Sequence, residues 1–193
     1  MKKLLLFVSL SITSLAFNQN MTSLDTIKLT EVNWNRVNSL LKQPVDFNLI
    51  ELEFIQLLNE YRNQLNITSL SYNSELKKAT DFHVNYMIIH DTLSHKQPEI
   101  EYANYYDRVR NLTNVLRNPD TRINPGISGE CLVRFNLFTA YILNKSVAEF
   151  ILFAWQNSPG HNKIITCNAA TKLSISINRD NKDSWVYACL LVY

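Results

Sequence analysis

The chain has 193 residues, 46% of them hydrophobic, with 19 Lys and Arg against 17 Asp and Glu. That length suits one domain with a sizeable core and short appendages. Near-balanced charge argues against a nucleic-acid binder, and only three glycines argue against a phosphate-cradling loop fold.

Residues 1–16 read as a signal peptide. Lys2 and Lys3 form the basic start, residues 4–15 are apolar apart from Ser and Thr, and Ser14-Leu15-Ala16 offers a cleavage point after Ala16. The apolar run is too short for a comfortable membrane span. The expectation is an extracytoplasmic protein, periplasmic or secreted, that is not integral to a membrane. Removing Lys2 and Lys3 leaves bases and acids equal at 17 each, which again predicts no nucleic-acid partner. Residues 17–47 form a polar, Asn-rich N-terminal extension, in which Val32, Val37, Leu40 and Leu41 are spaced for a short helix.

The main domain is expected over 48–193. Asn48, with Glu51 three residues on, predicts a capping-box start to a long helix. Its buried face is Ile50, Phe54, Leu57, Leu58, Tyr61 and Leu65. A second helix starts near Ser74, with Leu76, Ala79, His83, Met87 and His90 on one face, and ends before Pro98. Residues 96–128 are loop-rich, holding Pro98, Pro119, Pro125 and Gly126, with a short helix placed within 101–116. Residues 131–143 are apolar and fit either strand or helix. Ser146 and Glu149 make a capping box for a further helix buried through Ala148, Ile151, Leu152 and Trp155. Ser158 and Pro159 then suit an N-cap and first helical position.

The end of the chain is β. Leu173, Ile175 and Ile177 alternate with polar residues, and residues 185–193 are apolar at nearly every position, so the last strand must be covered on both faces. Helices followed by antiparallel strands predict an α/β (α+β) fold: a three-layer α-β-α sandwich with a mainly antiparallel central sheet. Of the three cysteines, Cys167 and Cys189 flank this hairpin, so an exported chain is expected to pair Cys167 with Cys189. The two pairings that use Cys131 stay open.

Several of these segments, taken in order, resemble a bacterial-type CAP domain, also called an SCP-like extracellular protein. Leu58-Asn59-Glu60-Tyr61-Arg62 resembles the opening helix motif, and Leu76, Ala79, His83 and Met87 the second helix. Ser94-His95 resembles the first signature histidine, Asp107-Arg108-Val109 the following turn, and Gly129-Glu130 the start of a Gly-Glu-Asn motif. The most specific segment is Trp155-Gln156-Asn157-Ser158-Pro159-Gly160-His161-Asn162, which resembles the Trp-x-x-Ser-x-Gly-His block. The resemblance implies an α-β-α sandwich, export, and a cleft where two histidines and one or two acids converge. The chain departs from the pattern at Cys131, where Asn is usual, at Ser158, where many eukaryotic relatives carry a second acid, and at Lys172-Leu173-Ser174, where relatives are Gly-rich.

The resemblance makes His95, Glu130 and His161 the cleft candidates. His95 and His161 are also candidate ligands for a divalent metal such as zinc, which two imidazoles suit and which few acids would hold weakly. The leading expectation is a non-enzymatic binding module for a small ligand, lipid, peptide or divalent ion. The alternative is a metal-dependent hydrolase with Glu130 as base. A surface interaction protein with an incidental cleft is a third reading. A Ser158–His161 hydrolase lacks a nucleophile elbow. A Cys131 thiol enzyme is opposed by the adjacent Glu130.

Overall fold

In the computed structural model, residues 32–115, 129–180 and 184–193 are described. The 1–16 leader, residues 17–31 of the 17–47 extension, and Pro119, Pro125 and Gly126 lie outside the described residues. Among the described residues, seven α-helices and four strands follow in chain order. They are α1 (Trp34–Leu41), α2 (Phe47–Gln64), β1 (Ser71–Tyr72), α3 (Ser74–Ile89), α4 (Tyr105–Leu112), β2 (Gly129–Asn136), α5 (Leu137–Ile142), α6 (Val147–Gln156), α7 (Pro159–Ile165), β3 (Lys172–Arg179) and β4 (Trp185–Val192).

Local chemistry explains most of the boundaries. Asn73 caps α3, accepting from the amides of Glu75 and Leu76, and Asn104 caps α4 in the same way. Ser146 and Glu149 form the complete capping box of α6. The long helix corrects one expectation. Its N-cap is Asp46, which accepts from Asn48 and Leu49, not Asn48 itself. Glu51 does not reach back along its own helix but accepts the Ile177 amide of β3 at 2.9 Å. Ser158 stands at the N-cap position of α7 without a side-chain cap bond, so Pro159 sets that start. The ambiguous 131–143 stretch is both predicted elements in succession. β2 ends where Asn136 caps α5 by accepting from Phe138.

The sheet runs β1-β3-β4-β2. β3 with β4 and β2 with β4 are antiparallel, while β1 pairs in parallel with β3 over two residues, so the sheet is mixed. Side chains alternate between its faces. Phe135, Leu173, Ile175, Ala188 and Leu190 join one buried cluster with Phe54 and Leu58 of α2, Ile151 and Trp155 of α6 and Ile165 of α7. Leu132, Tyr187 and Cys189 pack with Val84 and Met87 of α3 on the other face, and Leu191 packs with Leu76, Ala79 and Val109. The result is the three-layer α-β-α sandwich. Buried Arg62 fastens one layer: it donates to the carbonyls of Thr68, Ile165 and Cys167 at 2.9, 2.7 and 3.1 Å, tying α2 to the end of α7.

The same alternation corrects the cysteine expectation. Cys189 lies in the cluster under α3, whereas Cys167 packs against the cluster on the opposite face. The sheet separates them, and the described residues contain no disulfide.

Candidate functional site

β2 begins at Gly129, whose φ of +155° and lack of a side chain both count: a Cβ there would lie 2.7 Å from Ile164 Cδ1 of α7. The glycine lets β2 and α7 approach closely. The next residue, Glu130, faces the α3 side of the sheet with only 4% of its surface exposed.

A buried carboxylate must be compensated. Arg108 of α4, itself 1% exposed, donates to Glu130 Oε1 at 2.5 Å, and the Cys189 thiol lies 3.5 Å from the same oxygen. His95 Nδ1 lies 2.9 Å from Glu130 Oε2. Burial pushes the Glu130 carboxyl up, but the His95 hydrogen bond and the Arg108 charge outweigh it and hold the group below the usual carboxylate range. Glu130 is therefore an anion with both oxygens engaged.

The His95 loop is held by its own backbone. Arg108 also donates to the carbonyls of Tyr102 at 3.1 Å and His95 at 3.4 Å. His83 of α3, fully buried, contacts the Ser94 carbonyl through Nε2 at 2.8 Å and Gln97 through Nδ1 at 2.7 Å. Those partners assign Nε2 as donor and Nδ1 as acceptor, a neutral ring. Burial, the largest cause, pushes His83 down from 6.5 to about 4. With Nδ1 held by Glu130, Nε2 is the nitrogen of the half-exposed His95 ring that the carboxylate leaves unengaged.

His161 arrives from the opposite layer, on the first turn of α7. Its ring meets the Trp155 ring edge-on at 6.3 Å, and its carbonyl lies 3.9 Å from the Cys131 thiol. Burial lowers the affinity of His161 for a proton, and His95 lowers it further, so the two imidazoles are electrostatic neighbours. Among the described residues no hydrogen bond links His161 to Glu130; Glu130 supports His95 alone.

The hydrolytic readings find little here. Burial raises the Cys131 thiol well above its ordinary value and the Glu130 charge raises it further, so Cys131 is no thiolate nucleophile. No described hydrogen bond joins Ser158 to His161. For zinc, the described residues contain no group of three or more His, Cys, Asp or Glu placed to hold an ion. Two imidazoles fill half a tetrahedral shell, and the nearest carboxylate is neutralised by Arg108, so these residues do not fit a resident zinc centre.

Sequence reasoning names His95, Glu130 and His161 but not Arg108, His83 or Gln97 as parts of the site. Arg108 has a usable signal. It sits beside Val109 on a helix face that must be buried, and a buried guanidinium requires an acid.

The family model for CAP, the cysteine-rich secretory protein family, matches residues 55–191. Among solved structures the chain is similar to an outer surface protein from Borrelia burgdorferi. There the TM-score is 0.55 at 13% identity, covering 78% of this chain and 96% of that one. It is also similar to an extracellular protein containing an SCP domain from Bacillus anthracis, with a TM-score of 0.51 at 16% identity. That match covers 78% of this chain and 44% of the other, so this chain accounts for under half of that relative. Identities this low speak for a shared fold alone. No curated protein matches the chain.

Proposed function

Because the chain belongs to the CAP, or cysteine-rich secretory protein, family, we propose that it is an exported, non-catalytic binding module that holds a small ligand, a peptide end or a lipid headgroup between His95 and His161. The observation that carries this reading is the saturation of Glu130. Its oxygens are taken by Arg108, Cys189 and His95, so it serves as a buried prop and not as a base for water. Its bond to Nδ1 holds the half-exposed His95 ring in place and leaves Nε2 for a ligand. The neighbouring His161 ring, backed by Trp155, adds a second imidazole and an aromatic surface. Such a pair suits a ligand offering one hydrogen-bond donor and an apolar body. Export is supported by the residue 1–16 pattern and by relatives described as outer-surface or extracellular proteins. Among the described residues no helix is long and apolar enough to cross a membrane.

Native mass spectrometry of the exported protein, with and without chelator, tests the proposal. The expected spectrum shows a co-purified organic ligand that survives chelation and disappears in His95→Ala. A stoichiometric ion removed by chelator, with hydrolytic activity lost alongside it, would favour the metal-dependent hydrolase instead.

A further inference from the structure

Away from His95 and His161, a cavity of about 240 Å³ opens between the start of α2, the middle of α3 and the outer edge of β3. Its floor is polar and already ordered. Ser176, 2% exposed, lies 2.5 Å from Asp81 Oδ1, 3.2 Å from Lys77 Nζ and 2.7 Å from Thr80 Oγ1. Lys77 also reaches Glu51 at 3.0 Å, and Glu51 in turn holds the Ile177 amide. These bonds fix the floor before any ligand arrives, which lowers the ordering cost of binding.

The charges of the floor decide what can enter. Two carboxylates flank one ammonium, leaving one net negative charge, so acids are repelled while neutral and cationic groups are admitted. The same carboxylates keep Lys77 protonated, which rules out a Ser176–Lys77 nucleophile pair. Above the floor exposed Asn85 offers an amide donor and acceptor, exposed Asn178 offers its amide donor while its oxygen accepts from the Arg179 amide at 2.8 Å, and half-buried Phe47 supplies an aromatic wall. Planar amides and carboxylates match the paired hydroxyls of a sugar ring, and an aromatic wall matches its C–H face. Drug-sized ligands fill about 300–1,000 Å³, so this volume suits one ring. We propose that this cavity binds a single neutral or amino-sugar unit, with glucosamine-type rings ahead of neutral ones and acid sugars excluded.

Amide NMR titration of the full chain with glucosamine, glucose and glucuronate tests it. Glucosamine should shift the Ile177, Asn178 and Asn85 amides saturably, with affinity on the order of millimolar. Glucose should bind more weakly and glucuronate not at all. Asn85→Ala with Asn178→Ala, both at exposed positions that leave the core intact, should weaken glucosamine by about tenfold or more. His95→Ala should leave the titration unchanged, separating this cavity from the cleft proposed above. Absence of saturable shifts, equal binding of glucuronate, indifference to the double substitution, or shifts that map to His95 and His161 would each overturn the proposal.

Discussion

Arg108 and Glu130 are both buried and in direct contact, and each is costly without the other. Replacing Arg108 by Met should therefore destabilise the domain by about 3–5 kcal/mol, because an uncompensated carboxylate stays buried. Adding Glu130→Gln should recover much of that loss, and urea denaturation of the two variants measures both. Acid attacks the same place. The folded Glu130 carboxyl lies below its ordinary 4.5, so its contribution is present above that value and lost as pH falls further. His83 acts earlier. Its folded value near 4 against 6.5 means the unfolded chain takes up a proton first, so stability falls between pH 6.5 and about 4. The loss should be on the order of 3 kcal/mol. His83→Gln should flatten the unfolding free energy over that window by about one proton's worth of slope. At this scale the sequence supports only part of the site. His95, Glu130 and His161 lie far apart in the chain and are reached only through the resemblance. The reliance of Glu130 on Arg108 is a contact between α4 and β2 that no local spacing encodes.

Helix starts behave differently, because their signals are local. Ser146 with Glu149 spans four consecutive residues, and that capping box is present as the sequence predicts. Ser146→Ala should cost about 1 kcal/mol. Ser158→Ala should cost much less, since that hydroxyl makes no cap bond; thermal denaturation of the pair distinguishes the two positions. The N-cap of α2 lies two residues before the expected one for a physical reason. Glu51 resembles the acid of a capping box, but the Ile177 amide and Lys77 compete for it across the fold, and Asp46 takes over the cap. The junction of β2 and α7 depends on Gly129. Gly129→Val would drive a side chain into Ile164, and about 1–3 kcal/mol should be lost with a shift of the His161 ring resonances. Trimming Ile164 to Ala in the same chain should restore part of the stability and return those resonances toward their original positions.

For the molecule as a whole, alternation within the last two strands makes the layer order legible, while the pairing of cysteines is not. Both Cys167 and Cys189 lie close to the hairpin in sequence, yet strand parity sends Cys189 beneath α3, while Cys167, in the connection after α7, packs against the cluster on the other side of the sheet. Peptide mapping of the oxidised protein should find no Cys167–Cys189 bridge, and Cys131 and Cys189 should alkylate only after unfolding. The short first strand has another effect at this scale. β1 covers only the beginning of β3, so among the described residues no strand lies beside β3 on that side from Ser174 onward. Glu51 occupies the Ile177 amide there, with the charges of Lys77 and Asp81 alongside. That ionic stopper should keep a second molecule from adding its own strand. Glu51→Leu should leave the amide bare, and such a variant should grow in light scattering into edge-to-edge assemblies and, with time, fibres.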